Sequence, residues 1–301
     1  MSDAAHLQHL PPERAWVLAA RPATLPAGIA PVLLGSAIAV GDGVFRLDLL
    51  LVVTVATLAI QVGVNFANDV ADASRGADNP DRIGPTRAVA SGLLSERQMW
   101  QGIAVAFGVA TICGLYLAWV AGPIILLIGA FSLLAALGYT NGPIPYGYYG
   151  LGEVFVFIFF GPVATVGTRF VYDGSAPRAA WVGGIVMGLL AAAILVANNI
   201  RDLDTDRAAG KRTIAVIMGR RAARLLYTGM LGAAFVIPVL AVATGVFPTA
   251  TLLAMLAIPL AVAPLRAIWI ATDGPPLIAA LKATARLQLA VALLLAVGFI
   301  V

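Results

Sequence analysis

The chain has 301 residues, 60% hydrophobic and 11% charged, with a mean hydropathy of +0.94 and a formal net charge of +4. Soluble domains carry about 25% charged residues, so an ordinary soluble enzyme and a disordered tail are both excluded. A membrane-spanning helix uses roughly 20 apolar residues and nine would use about 180, so the basic excess reads as helix orientation and no nucleic-acid partner is expected.

In chain order, residues 1–15 form a polar tail, expected to be cytoplasmic. It holds Asp3 and Glu13 and lacks a basic start followed by an apolar core, so it does not read as a cleavable signal peptide. Nine apolar runs follow, at 16–40, 47–68, 97–120, 123–141, 149–171, 179–199, 221–245, 248–270 and 279–301. The expected fold is all-α: one polytopic membrane domain over 16–301, with a central cavity opening to the cytoplasm. Pro22, Pro26 and Pro31 predict a kink in the first span. Cys113 is the only cysteine, so no disulfide forms within the chain, and it is expected as a small buried packing residue. His6 and His9 both lie in the tail, which leaves the spans without a histidine metal site.

With the N-terminus inside, 16 basic residues fall on the cytoplasmic side and three, Arg46, Arg169 and Arg178, fall outside. That asymmetry predicts a cytoplasmic N-terminus and, after nine spans, an external C-terminus. Arg169 reads as an anchor at the outer interface. Two connections are long and polar, 69–96 and 200–220, and both then face the cytoplasm. Each follows an apolar helix, opens on Asn, continues with spaced Asp and turns basic. Four helices separate them, which suggests two four-helix halves plus a ninth helix.

These two stretches carry the candidate chemistry. Asp69 and Asp72 are three apart, and Asp202 and Asp206 four apart, so each pair shares a helical face while Asp204 points elsewhere. Like charges at that spacing repel, so a cation should hold them. Mg2+ suits oxygen ligands, uses one or two carboxylates and completes its shell with substrate phosphates. Arg75, Arg82 and Arg87 in the first stretch, and Arg201, Lys211 and Arg212 in the second, interleave with the acids. Carboxylates holding a metal, with guanidinium forks nearby, make a receptor for a diphosphate. The alternative is a pair of solvated, positive-inside loops.

NDVAD at 68–72, RDLDTD at 201–206 and nine apolar spans resemble the UbiA superfamily of intramembrane aromatic prenyltransferases. RPATLPAGIAPVLLGSA (21–37), GPTRAVASG (84–92), NGPIPYGYYGLGE (141–153) and NNIRDLDTDRAAGKRTIAV (198–216) resemble its 1,4-dihydroxy-2-naphthoate polyprenyltransferase branch. The resemblance covers roughly residues 16–300. It implies a bacterial plasma-membrane enzyme of menaquinone biosynthesis that joins a polyprenyl diphosphate to that naphthoate, with loss of pyrophosphate and carbon dioxide. It implies Mg2+ on Asp69, Asp72, Asp202 and Asp206, with Lys211 and the arginines on the leaving diphosphate. The fuller first motif has a third Asp where Gly76 stands here; Asp78 lies two residues beyond, and its role as a metal ligand is left open.

On the acceptor side the candidates are Arg21, Asn65, Asn68, Tyr139, Asn141 and Glu153. Arg21 reads either as a partner for the acceptor's carboxylate or as a snorkelling anchor. Tyr139 and Asn141 line the acceptor pocket or belong to an interfacial belt. Glu153, an acid inside a span, either orients the acceptor's hydroxyls or pairs with an Arg to hold helices. FVFIFF at 155–160 reads as packing or lipid contact, or as contact with the prenyl tail, and GYYGLG is too generic for a phosphate loop. Other readings are a related enzyme acting on 4-hydroxybenzoate, a CDP-alcohol phosphotransferase (whose continuous Asp-rich motif is missing), a soluble-type isoprenyl synthase and a membrane transporter. Transporters bind near the bilayer midplane; here the acids cluster at one rim.

Overall fold

A computed structural model describes residues 11–74, 87–140, 145–272 and 274–301, and among them every regular element is a helix. The expected kink is a break. α1 (Pro12–Ala20) ends at Arg21, which adopts left-handed φ of +50, and a 3-10 turn (Pro22–Thr24) leads into α2 (Leu25–Gly41). Pro22 disfavours helical backbone at the residue before it, so the chain turns there. Pro31 lies inside α2 without ending it. The break is held from α3 (Leu47–Ser74): Asn65 donates its amide to the Ala20 carbonyl at 2.8 Å and to the Thr24 hydroxyl at 3.0 Å.

α4 (Glu96–Ala121) opens on a capping box between Ser95 and Gln98. α5 (Ile124–Gly138) follows after Gly122, whose φ of +98 suits glycine. The next span is compound: α6 (Gly152–Ile158), a π turn (Phe159–Val163) and α7 (Ala164–Asp173). Pro162 lacks an N–H, and the wider turn absorbs it. α8 (Arg178–Arg201) runs into the short α9 (Leu203–Ala208) and α10 (Ile214–Met218). α11 (Arg220–Ala243), a 3-10 stretch (Thr249–Ala257) leading into α12 (Ile258–Ile270), and α13 (Gly274–Ile300) complete the bundle.

Eight helical segments among the described residues are long and apolar enough to cross a membrane. The ninth expected span, at 123–141, is shorter: α5 has 15 residues, about 22 Å of helix against a hydrocarbon core of about 30 Å. Its end is fixed where the Tyr146 hydroxyl donates to the Ala135 carbonyl at 2.5 Å.

α8 and α13 form the buried centre, with α2 against them. α11 and α12 pack against this centre and α4 packs on α3; these outer helices leave apolar side chains such as Ile112, Trp119, Leu225 and Ile270 exposed, as lipid contact requires. Cys113 is only half-buried, so it is not the core packing residue expected. Glycine permits a close backbone contact between α8 and the compound span. A Cβ on Gly161 would lie 2.5 Å from the Gly184 carbonyl oxygen, and one on Gly188 would lie 2.5 Å from that of Phe157. Small residues four apart on α8 let the π turn press backbone to backbone.

Arg169 corrects the sequence reading. It is no interface anchor: its side chain is 3% exposed, and its guanidinium contacts Asp42 at 2.7 Å and Asp173 at 2.6 Å. It ties the end of α2 to the end of α7, because a charge sealed in a bundle must find a partner.

Gly188→Ala should overpack the seam between α8 and the π turn and cost about 1–3 kcal/mol. Thermal unfolding in detergent should show a lower midpoint for this variant. Gly129→Ala, whose added methyl meets nothing within 4 Å, should unfold like the parent.

Candidate active site

The two Asp motifs meet at one end of the bundle. α3 contributes Asp69 and Asp72 from its last turns, and Asp202 and Asp206 sit where α8 passes into α9. All four are buried. Asp202 lies at the junction of the two helices, and the Asp206 N–H still donates to its carbonyl at 2.7 Å, so one helical turn carries both acids inward. Asp204 faces outward, 2.9 Å from Arg220, as its offset predicts.

Each buried carboxylate has its own partners. Asp69, 1% exposed, accepts the backbone N–H of Ala88 at 3.1 Å and of Val89 at 3.0 Å, with an Arg21 nitrogen at 4.0 Å. It anchors the returning loop to α3. Asp72 pairs with Arg87 through one oxygen; the other accepts the Tyr148 hydroxyl at 3.1 Å and faces the Lys211 ammonium at 3.5 Å. Lys211 also lies 3.9 Å from Asp206, so one ammonium joins the two motifs. Arg201 grips Asp202 with two nitrogens at 2.7 and 2.5 Å, and Asn198 donates to the same carboxylate at 3.3 Å.

Burial alone would pull the Lys211 ammonium down, but Asp72, Tyr148 and Asp206 outweigh it and hold it above the ordinary lysine value. The Tyr148 ring lies 4.7 Å beneath it. Lys211 therefore stays charged at neutral pH. Arg212 is exposed; its backbone N–H, not its guanidinium, enters the site and donates to the Tyr148 carbonyl at 2.9 Å.

The acceptor-side candidates divide. Asn65 spends its amide on the break between α1 and α2. Asn68 accepts the Thr140 hydroxyl at 2.7 Å. Tyr139 caps α5 and packs edge-on against Tyr146. Glu153 lies in the first turn of α6, buried, and accepts the Asn199 amide at 2.6 Å. Of its two sequence readings, the Arg pair is not what the described residues form. Arg75, Asp78, Arg82 and Asn141 lie outside the described residues.

Sequence reasoning missed Tyr148, Asn198, Asn199 and the N–H pair of Ala88 and Val89. Tyr148 lay in the GYYGLG text set aside as generic. Backbone donors carry no residue signal at all.

No group of three His, Cys, Asp or Glu converges among the described residues. Two-carboxylate sites suffice for Mg2+ when phosphates complete the shell. The donors here are carboxylate oxygens, and between Asp72 and Asp206 an ammonium already stands where a cation is wanted. The residues fit the metal.

A dry helix bundle closed at one end by alternating carboxylates and cations defines a membrane enzyme for a charged head group on an apolar body. The chain belongs to the UbiA prenyltransferase family, matching it over residues 28–282. It is 42% identical over 226 residues to a Mycobacterium tuberculosis protein named 1,4-dihydroxy-2-naphthoate octaprenyltransferase, covering 74% of this chain and 76% of that one. Its fold is similar to that of a UbiA homolog from Aeropyrum pernix, with a TM-score of 0.67 at 20% identity over 90% of this chain and 96% of that one. A UbiA homolog from Archaeoglobus fulgidus bound to GPP and Mg2+ gives a TM-score of 0.61 at 12% identity over 93% and 99%.

Asp72→Ala and Asp206→Ala should each lower prenyl transfer at least 100-fold, whereas Asp204→Ala, which loses only an exposed pair, should stay within about threefold. Product formation by detergent-purified variants measures all three. Equal sensitivity at Asp204 would contradict the placement of this motif.

Proposed function

We propose that the chain transfers a polyprenyl group from a polyprenyl diphosphate to 1,4-dihydroxy-2-naphthoate, releasing pyrophosphate and carbon dioxide and giving a demethylmenaquinol for menaquinone biosynthesis. The observation that carries the diphosphate half is Lys211 spanning Asp72 and Asp206, which makes one receptor of two distant motifs. The Mycobacterium tuberculosis relative supports the naphthoate acceptor.

In this reading Asp69, Asp72, Asp202 and Asp206 hold Mg2+, and Asp69 also fixes the loop beside them. When bound, Mg2+ neutralises diphosphate charge and assists departure of the leaving group. The neighbour solved with GPP and Mg2+ supports this use of a divalent ion. Arg87, Arg201 and Lys211 turn from the carboxylates to the diphosphate oxygens, joined by Arg75 and Arg82 of the first loop, while the Arg212 guanidinium would have to swing in from its exposed position. Their charge is preorganised for the negative charge that builds as the C–O bond breaks. The apolar bundle keeps water from the allylic cation until a ring carbon attacks it. Arg21 and Tyr139 border the acceptor.

The domain is single, over 16–301, with active-site loops 69–96 and 200–220 on the cytoplasmic face of a bacterial plasma membrane. The 16-to-3 basic asymmetry supports a cytoplasmic N-terminus and an external C-terminus.

Purified protein given Mg2+, a polyprenyl diphosphate and carboxyl-labelled naphthoate should release one labelled carbon dioxide and one pyrophosphate per prenyl transferred. Chelation should abolish turnover and added Mg2+ should restore it. Label retained in the prenylated lipid would move the acceptor to a 4-hydroxybenzoate type; no pyrophosphate would favour a transporter.

Orientation has its own test. In a Cys113→Ser background, Ala208→Cys should react with an impermeant maleimide only from the cytoplasmic side, and Ser175→Cys only from outside. Both sites are exposed. The reverse pattern would invert the topology.

A further inference from the structure

Glu153 differs from every other buried acid in the bundle. It is 4% exposed, yet among the described residues no Arg or Lys pairs with it. Asn199 donates to Oε1 at 2.6 Å, and Oε2 is buried with no hydrogen-bond partner. A buried polar oxygen left unmatched is costly and calls for a reason. Asp72, Asp202 and Asp206 are each neutralised by cations; Glu153 is held only by a neutral amide. A carboxylate without a neighbouring cation is the one free to accept a proton.

Its position is that of a group facing the reaction. Asn199 lies three residues before Asp202 on α8, and Tyr148, the hydroxyl on Asp72, lies five residues before Glu153. Tyr139 closes the space beside it: a Cβ on Gly152 would stand 3.4 Å from the Tyr139 hydroxyl. The next residue, Thr140, donates its hydroxyl to Asn68 at 2.7 Å, beside Asp69, so Tyr139 stands between the acid and the first Asp motif.

We propose that Glu153, oriented by Asn199, takes the ring-hydroxyl proton of the aromatic acceptor as the prenyl group is transferred, and returns it as carbon dioxide leaves. The inference rests on the proposed naphthoate reaction. The hydroxyl beside the carboxylate-bearing carbon hydrogen-bonds to Oε2. As that carbon forms its bond to the allylic cation, the O–H proton passes to Oε2 and the oxygen becomes a carbonyl. The product of this step is a β-keto carboxylate. Its bond to the carboxylate then breaks, carbon dioxide departs, and the electron pair returns to the ring and the oxygen. That oxygen takes the proton back from Glu153. No proton is gained or lost overall, so the step needs no water in the bundle. Asn199 is a positioning residue.

The test uses the full-length enzyme in detergent with carboxyl-labelled naphthoate. Glu153→Gln should lower kcat by 100-fold or more, the range for removing a general base, while the acceptor KM and the thermal midpoint change little. Glu153→Ala should regain rate with added formate, a readout that a structural role would not move, and Glu153→Asp should fall between Gln and parent. Asn199→Ala should lose about tenfold and gain nothing from formate. A Gln variant within threefold of the parent would overturn the proposal. So would an Ala variant that no formate concentration rescues. If the Gln variant does not fold, Glu153→Asp decides: parental kcat overturns the proposal, and lowered kcat at parental KM upholds it. Failure of the parent itself to release labelled carbon dioxide would instead refute the naphthoate reaction.

Discussion

A carboxylate removed from water must be matched by donors or cations, and that requirement organises this end of the protein. Asp69 is 1% exposed and Asp72 5%. An unmatched charge at such burial would cost several kcal/mol. The chain supplies the match from far away in sequence. The backbone of Ala88 and Val89 comes to Asp69, Arg87 and Lys211 come to Asp72, and Arg201 folds onto its own neighbour Asp202. These pairings act together with the burial of Ala88 and Leu94, which seats the loop after Arg87, and with the Arg212 N–H on the Tyr148 carbonyl, which seats the segment through Lys211. The charged end is therefore both the site and the clasp of the bundle.

The helices are interrupted where the clasp needs them to be. α1 stops at Arg21, so its guanidinium turns toward Asp69, and the left-handed backbone there is held by Asn65 rather than by glycine. A non-glycine residue in that conformation costs of order 1–3 kcal/mol and persists only when its surroundings over-determine it. α8 stops at Arg201, which lets Asp202 and Arg201 face each other across one peptide unit. At the opposite end, Arg169 between Asp42 and Asp173 performs the same service for α2 and α7. Both ends of the bundle are tied by buried charge and its middle by small-residue contacts, which suits a fold with no hydrophobic effect between helix and lipid.

The spans were legible because 20 apolar residues in a row have few other meanings. The Asp pairs were legible because spacing on a helix decides which side chains meet, and Asp204 pointing outward follows from the same rule. Their partners were harder. Arg87 was named, but whether it met Asp72 or solvent depended on a loop whose path the sequence does not encode locally. Lys211 and Tyr148 lie 139 and 76 residues from the carboxylate they share, a proximity created only by packing. Arg169 was misread because positive charge near a span's end is usually a snorkelling anchor; Asp173 one turn on, together with Asp42 127 residues away, made it a buried tie instead. α5 came out short because apolar composition continues into Tyr139 after the helix has ended.

The charges of the site also explain why a divalent ion should enter with the substrate. Asp69, Asp72, Asp202 and Asp206 are met by Arg21, Arg87, Arg201 and Lys211, acid for base. The first loop adds Arg75 and Arg82 against Asp78 and Asp81, again in balance. Among the described residues each of the four buried carboxylates meets a cation, so the receptor has little net charge to draw in a free diphosphate. An anion arriving alone would have to take arginines from buried carboxylates and leave those carboxylates bare, which the low dielectric forbids. A divalent cation arriving with the anion would be held by the carboxylates and would supply charge neutralisation there, leaving the guanidinium and ammonium groups for the phosphate oxygens. Every charge stays matched throughout. The same four basic residues would thus serve twice, neutralising the buried carboxylates before substrate binds and gripping the leaving diphosphate afterwards.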